Sequence, residues 1–178
     1  IRGSEKSTYG KLYERLILGV LLEILGFKLV DRANIKNPKK VFWLSSRDEK
    51  RESDATLLFE AGKGVRFDIG FIGRGNPEIS LDKVSRFERE ITLGKTKWFM
   101  ATIIVVDRIG PNSRIEALAK RIRGDIVQMS GAYWPLRVAE VLKERTGYKS
   151  ELLGMKDKEV LQYLKKKNAK IDFQKLIK

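Results

Sequence analysis

The stretch "DATLLFEAGKGVRFDIGFIGRGNPEISLDK", residues 54 to 83, decides how this chain is read. Two β-prone runs flank Ala61-Gly62-Lys63-Gly64, the composition of a hairpin connection. In the second run Val65, Phe67, Ile69 and Phe71 recur at every second position and share one face, leaving Arg66 and Asp68 on the other. After a Gly/Asn/Pro loop, "PEISL" reads as a third short strand. Glu78 opens it, and Ser80 and Asp82 share the face of Glu78 if the strand persists. Asp68 and Glu78 are thus aimed at one neighbourhood. Carboxylates set side by side repel unless something cationic sits between them, and a metal ion fits that place.

Outward from this stretch the pattern changes. Upstream, Tyr9, Leu12, Tyr13, Leu16, Ile17, Val20, Leu21 and Ile24 recur at three- and four-residue steps, predicting a long, nearly buried helix with Ser7 as N-cap and Gly26 as its close. "NIKNPKKVFWLSSRDEKRESD" reads as a charged loop around one short strand, Val41 to Leu44. Downstream, Val84, Phe87 and Ile91 fit a helix ending near Gly94, and "KWFMATIIVV" is the continuous apolar run of a buried central strand. "NSRIEALAKRIRG" predicts a basic helix and "DIVQM" a strand. "PLRVAEVLKERTG" predicts a further helix, with Pro135 near its start and Gly147 beyond its end. The order gives an α/β fold, a mixed central sheet flanked by helices. Residues 1–147 read as the core domain and 148–178 as a basic helical extension packed on it.

The 178 residues carry 37 Lys and Arg against 23 Asp and Glu, a net charge of +14, which concentrates polyanions and makes nucleic acid the leading partner. Heat adaptation also produces Lys-rich surfaces, but it favours both signs and does not require such an excess. With no histidine and no cysteine, catalytic triads, histidine bases, thiol nucleophiles and zinc fingers are excluded. No run is long and uncharged enough to span a bilayer, and a cytoplasmic, prokaryotic setting is expected. Ile1 is not an initiator methionine and no signal-peptide pattern follows it, so a native start further upstream is expected.

Chemistry is left to carboxylates, lysines, hydroxyls and a hard metal, Mg²⁺ with Mn²⁺ as substitute. Asp68 and Glu78 are the expected metal ligands. Glu14, in line with Leu18, Leu21 and Leu25, would be costly unpaired and is the expected third acid, with Glu23 the alternative. The competing structural reading pairs Asp68 with Arg66 or another neighbouring base and has Glu78 capping a turn after Pro77. "GRGNPE" and "EAGKG" lack the spacing of nucleotide-binding loops and read as turns. Candidate DNA contacts are Arg47, Lys50 and Arg51 in the charged loop, and Arg74 and Asn76 in the Gly/Asn/Pro loop. Arg114, Lys120, Arg121 and Arg123 in the basic helix join them, with Trp134 as a stacking aromatic.

"KSTYGKLYERLILG", "RESDAT", "RFDIGFIGRGNPEIS" and "DKVSRF" together resemble the PD-(D/E)xK nuclease superfamily, and within it type II restriction endonucleases of the CfrBI-like kind. The resemblance covers residues 6 to 90, with weaker support to 106. It implies a restriction-endonuclease-like core and Mg²⁺-dependent cutting of double-stranded DNA, with the acids carried onto Asp68, Glu78 and Glu14. A homodimer acting on a short palindrome follows from this reading, and CCWWGG is the expected target. Where the superfamily has lysine two residues after the second acid, this chain has Ser80. Either the site works without that lysine or Lys83 supplies the charge. Asp54 is taken as an accessory acid because its strand precedes that of Asp68. A repair or recombination nuclease of the same fold is the enzymatic alternative, and a basic DNA-binding module with structural acids is the non-enzymatic one.

Overall fold

Helix α1, Arg2–Ile24, carries Leu18, Leu21 and Leu22 on its buried side, with Leu25 just beyond its end. The computed structural model describes residues 2–35, 39–45, 53–60, 63–70, 99–109, 117, 119–120, 124–131 and 133–178, with the backbone alone for 2–8 and 99–100. Ser7 lies inside α1 rather than capping it: no proline stands upstream, and adding turns to an existing helix costs far less than nucleating one. The C-terminal end is closed as predicted. Gly26 takes φ +100°, and the Phe27 N–H donates to Leu22 O while the Gly26 N–H donates to Glu23 O. Two carbonyls there accept from distant phenols, Ile24 O from Tyr163 (2.9 Å) and Leu25 O from Tyr148 (2.7 Å), so the open end of the helix is satisfied by the C-terminal segment.

Six strands form one mixed sheet in sequence order: β1 (Lys28–Leu29), β2 (Val41–Leu44), β3 (Ala55–Glu60), β4 (Lys63–Gly70), β5 (Phe99–Val106) and β6 (Gly124–Gln128). β2, β3 and β4 run antiparallel as a meander, while β1 is parallel to β2 and β5 and β6 are parallel to β4. The hairpin and the 41–44 strand match expectation, the strand expected over 97–106 is described from Phe99 and is buried from Ala101 to Val106, and the one expected over 125–129 runs Gly124–Gln128; two-residue β1 leaves no periodic signature to find. The expected "PEISL" strand, the 84–94 helix and Trp98 lie outside the described residues. So does most of the basic helix, of which Ala117, Ala119 and Lys120 are helical.

Alternation puts Phe42, Leu44, Ala55, Leu57, Val65, Phe67, Ile69, Ala101, Ile103 and Val105 into one core with α1 and with α2 (Trp134–Thr146), which contributes Val138, Ala139, Val141 and Leu142. Pro135 stands in the first turn of α2 and Gly147 closes it at φ +75°. The sheet's other face carries a polar row: Thr56 is paired with Arg66 and Arg66 with Thr102, with Asp68 two residues further along β4. Helices α3 (Asp157–Asn168) and α4 (Phe173–Ile177) both pack against α1.

Candidate active site

Asp68 is fully buried near the C-terminal end of β4, on the face opposite Phe67 and Ile69. Ala55 pairs with Phe67 and Thr56 with Arg66, so one step further along the same register Asp54 falls opposite Asp68. The Asp54 carboxylate reaches across the strands: its Oδ2 accepts the Ile69 N–H at 2.9 Å, the peptide next to Asp68. Asp54 is therefore not remote from Asp68 merely because its strand comes first. An antiparallel hairpin returns the chain to its starting edge, and equal counts outward from Ala61 bring positions 54 and 68 together.

The loop end around Asp54 is tightly bonded. The Ser45 N–H donates to Asp54 O (3.1 Å), the Ser45 hydroxyl donates to Ser53 O, and the hydroxyls of buried Ser53 and Thr56 lie 3.2 Å apart. Arg15 ties α1 to the same end by donating to Ser45 O. Glu14, its half-buried neighbour in sequence, thus belongs to the turn of α1 that meets the β2 and β3 ends. Glu23 lies elsewhere: burial pushes its carboxyl above the usual range, nearby Asp172 adds to this, and Lys175 opposes it, which places it beside the C-terminal segment.

Asp54 and Asp68 supply hard anionic oxygens, the donor type Mg²⁺ requires. Among the described residues no group of three or more acids gathers closely enough to hold a metal alone. Glu78, Ser80 and Lys83 lie outside the described residues, as do Arg47, Lys50, Arg51, Arg74, Asn76, Arg114, Arg121 and Arg123. Lys120 and Trp134 are described, and the fold brings them together on a cavity of about 680 Å³ beside β6, with Gln128 and Arg137. Trp134 is half-buried and also packs against the core, so it is partly structural.

A mixed sheet flanked by helices, with a hairpin bringing acids to one edge, is the architecture of the PD-(D/E)xK restriction-endonuclease-like fold. The family model "CfrBI restriction endonuclease" matches residues 1–114. Type II restriction enzyme CfrBI of Citrobacter freundii is 44% identical over 180 residues, covering 100% of this chain and 50% of that protein. The chain belongs to the CfrBI restriction endonuclease family, and it spans about half the length of that curated relative. No solved structure matches it. Among the described residues no helix is long and apolar enough to cross a membrane.

Proposed function

We propose that this chain carries the nuclease centre of a type II restriction endonuclease, hydrolysing phosphodiester bonds of double-stranded DNA with Mg²⁺, or Mn²⁺ in its place. The observation that carries the reading is the meeting of Asp54 with Asp68 across the β3–β4 hairpin in a member of this family. Asp54 joins Asp68 and Glu78 as a metal-holding acid, a promotion from the accessory role its position in sequence suggested. The ion would polarise the scissile phosphate, lower the pKa of an attacking water and offset the charge that grows in the transition state. Asp68, fixed in a sheet strand, orients the group that Asp54 and Glu78 complete from neighbouring segments. Ser80 stands where the superfamily has lysine, and Lys83 supplies a cation toward the phosphate. Glu14 approaches from α1 as the helix acid.

In this reading residues 1–147 form the core and 148–178 an extension on it. The protein works as a cytoplasmic homodimer, because cutting both strands of a palindrome calls for two sites related by a twofold axis. CCWWGG is the proposed target. Arg47, Lys50, Arg51, Arg74, Asn76, Arg114, Lys120, Arg121, Arg123 and Trp134 are the proposed DNA contacts.

Digestion of a sequenced plasmid with Mg²⁺, with EDTA as control, tests this directly. Discrete fragments whose mapped ends share one short palindrome support it. Preference for branched DNA would turn the reading to a repair or recombination nuclease. Binding with no nicking under any divalent ion would leave a DNA-binding module with structural acids.

A further inference from the structure

Asp54 stands one residue outside regular strand pairing. Leu44 opposite Ala55 ends the β2–β3 register, and Ala55 opposite Phe67 ends that of β3 with β4, so the ladder leaves the backbone of Asp54 to other partners. Ser45 provides them. Its N–H donates to Asp54 O at 3.1 Å and its hydroxyl donates to Ser53 O, and these are the carbonyls of the two peptides that flank the Asp54 Cα. With both peptide planes held, φ and ψ of Asp54 are fixed and its Cβ has one direction. The hydroxyls of buried Ser53 and Thr56, 3.2 Å apart, tie the preceding residue to β3 as well.

Ser45 is itself held by the body of the protein. Its carbonyl accepts from the Arg15 guanidinium, whose Nε donates to Leu176 O at 3.3 Å. Arg15 lies one turn of α1 before Gly19, and Leu176 is fully buried over that glycine, where an added Cβ would stand 2.5 Å from Leu176 Cδ2. The guanidinium therefore joins α1, the end of β2 and the C-terminal segment, and Ser45 carries that frame to Asp54. The bond from the Ile69 N–H to Asp54 Oδ2 at 2.9 Å orients the carboxylate but does not fix the peptides from which it springs. An acid held at both its backbone and its carboxylate is set in place before an ion arrives.

We infer that Ser45 is a positioning residue of the metal centre, its hydroxyl and N–H setting through the backbone of Asp54 the direction from which that acid meets the ion. The inference rests on the nuclease reading and adds to it a residue one step removed from the metal. Loss of a partner that orients a ligand in this way costs about 10–100-fold in metal affinity or activity.

The test is a Mg²⁺ titration of the unfolding temperature in wild type, Ser45→Ala and Ser45→Thr, with single-turnover plasmid cleavage by wild type and Ser45→Ala, each also in the Asp54→Asn background. Ser45→Ala should need about 10-fold more Mg²⁺ for a given rise in unfolding temperature. Ser45→Thr keeps the hydroxyl and should stay within about threefold of wild type. Tyr163→Phe, which removes a hydrogen bond at the C-terminal end of α1, controls for lost stability alone and should keep the wild-type Mg²⁺ requirement. In cleavage, Ser45→Ala should cost about 10-fold in the wild-type background and less than about twofold in Asp54→Asn, because a residue acting through Asp54 has little left to act on once that carboxylate is gone. An unchanged Mg²⁺ requirement in Ser45→Ala, an equal rise in Ser45→Thr or Tyr163→Phe, or an equal cleavage cost in both backgrounds overturns the inference. If Asp54→Asn loses the Mg²⁺ shift and the cutting while Ser45→Ala keeps both, this inference alone falls; if Asp54→Asn keeps both, the metal-holding role of Asp54 falls with it.

Discussion

Replacing Asp54 with asparagine separates a metal-holding acid from a structural one, because the structure tells in advance what the substitution preserves. The Asp54 Oδ2 accepts the Ile69 N–H at 2.9 Å, and an asparagine carbonyl can accept the same bond. Asp54→Asn therefore removes a charge while keeping the strand-to-strand tie, and its unfolding temperature without metal should stay within about 2 °C of wild type. Asp54→Ala loses the tie as well, leaving a backbone donor unsatisfied at about 1–3 kcal/mol, or roughly 2–10 °C for a chain of this size. Cleavage should follow a different order. A lost ligand carboxylate removes about 3–4 kcal/mol of transition-state stabilisation, so both variants should cut plasmid about 10²–10³-fold more slowly under single-turnover conditions. Metal binding gives a readout independent of turnover. With Mg²⁺ at about ten times its Kd, wild type gains about 1.4 kcal/mol, roughly 3–5 °C in unfolding temperature, and Asp54→Asn should lose most of that gain. Cutting within about threefold of wild type, with the Mg²⁺ shift retained, would refute the assignment and leave Asp54 as a hairpin brace.

Lys83→Ala should impair cleavage by about 10²-fold with little change in duplex affinity, while Ser80→Lys should be tolerated at least in part; gel-based cleavage and fluorescence anisotropy read the two quantities separately. Tyr148→Phe and Tyr163→Phe each remove a phenol that satisfies a C-terminal carbonyl of α1, so each should lower stability by about 1 kcal/mol in denaturant unfolding. The Glu23 carboxyl is held above its usual range, chiefly by burial and then by Asp172. An acid raised in the folded state stabilises most below its unfolded pKa, and that contribution is lost as pH rises through the folded value. Glu23→Gln should accordingly stabilise the protein at neutral pH and lose its advantage at acid pH, seen in unfolding temperatures across pH.

The sheet's core was legible because alternation is strict where one face is buried: Val65, Phe67 and Ile69 could point only one way, and Asp68 only the other. Helix α1 was legible by its period and its Gly26 close, but not at its beginning, where no capping side chain is needed to extend a formed helix. Asp54 was underrated because sequence separation is a poor guide in a hairpin; a count from Ala61 pairs it with Asp68. Nothing in the sequence announces the seat of Leu176 against Gly19, one of the three glycines of α1. Contacts between residues so far apart in the chain leave no local period to read.

Burying Asp68 in a protein of net charge +14 has a further consequence for how metal and DNA act on each other. Its carboxylate lies within the sheet, beside Asp54, at the end where the proposed reading seats a phosphate. Without a cation between them, carboxylate and phosphate repel: two unit charges about 5 Å apart at an effective dielectric near 20 give roughly 3 kcal/mol before salt screening. About half of that surviving screening corresponds to an affinity penalty of roughly 10-fold. Metal and duplex should therefore bind with positive coupling, each tightening the other by the same factor. Ca²⁺, which occupies oxygen sites of this kind, should tighten wild-type binding to duplex DNA by about 10-fold relative to EDTA if it supports no cutting. Asp68→Asn should behave oppositely, binding DNA more tightly than wild type in EDTA and gaining little from Ca²⁺. Anisotropy titrations of both proteins in EDTA and in Ca²⁺ measure the full cycle. An Asp68→Asn protein that binds more weakly than wild type in EDTA, yet keeps the full Ca²⁺ effect, would mean that Asp68 holds a protein cation and that the metal sits elsewhere.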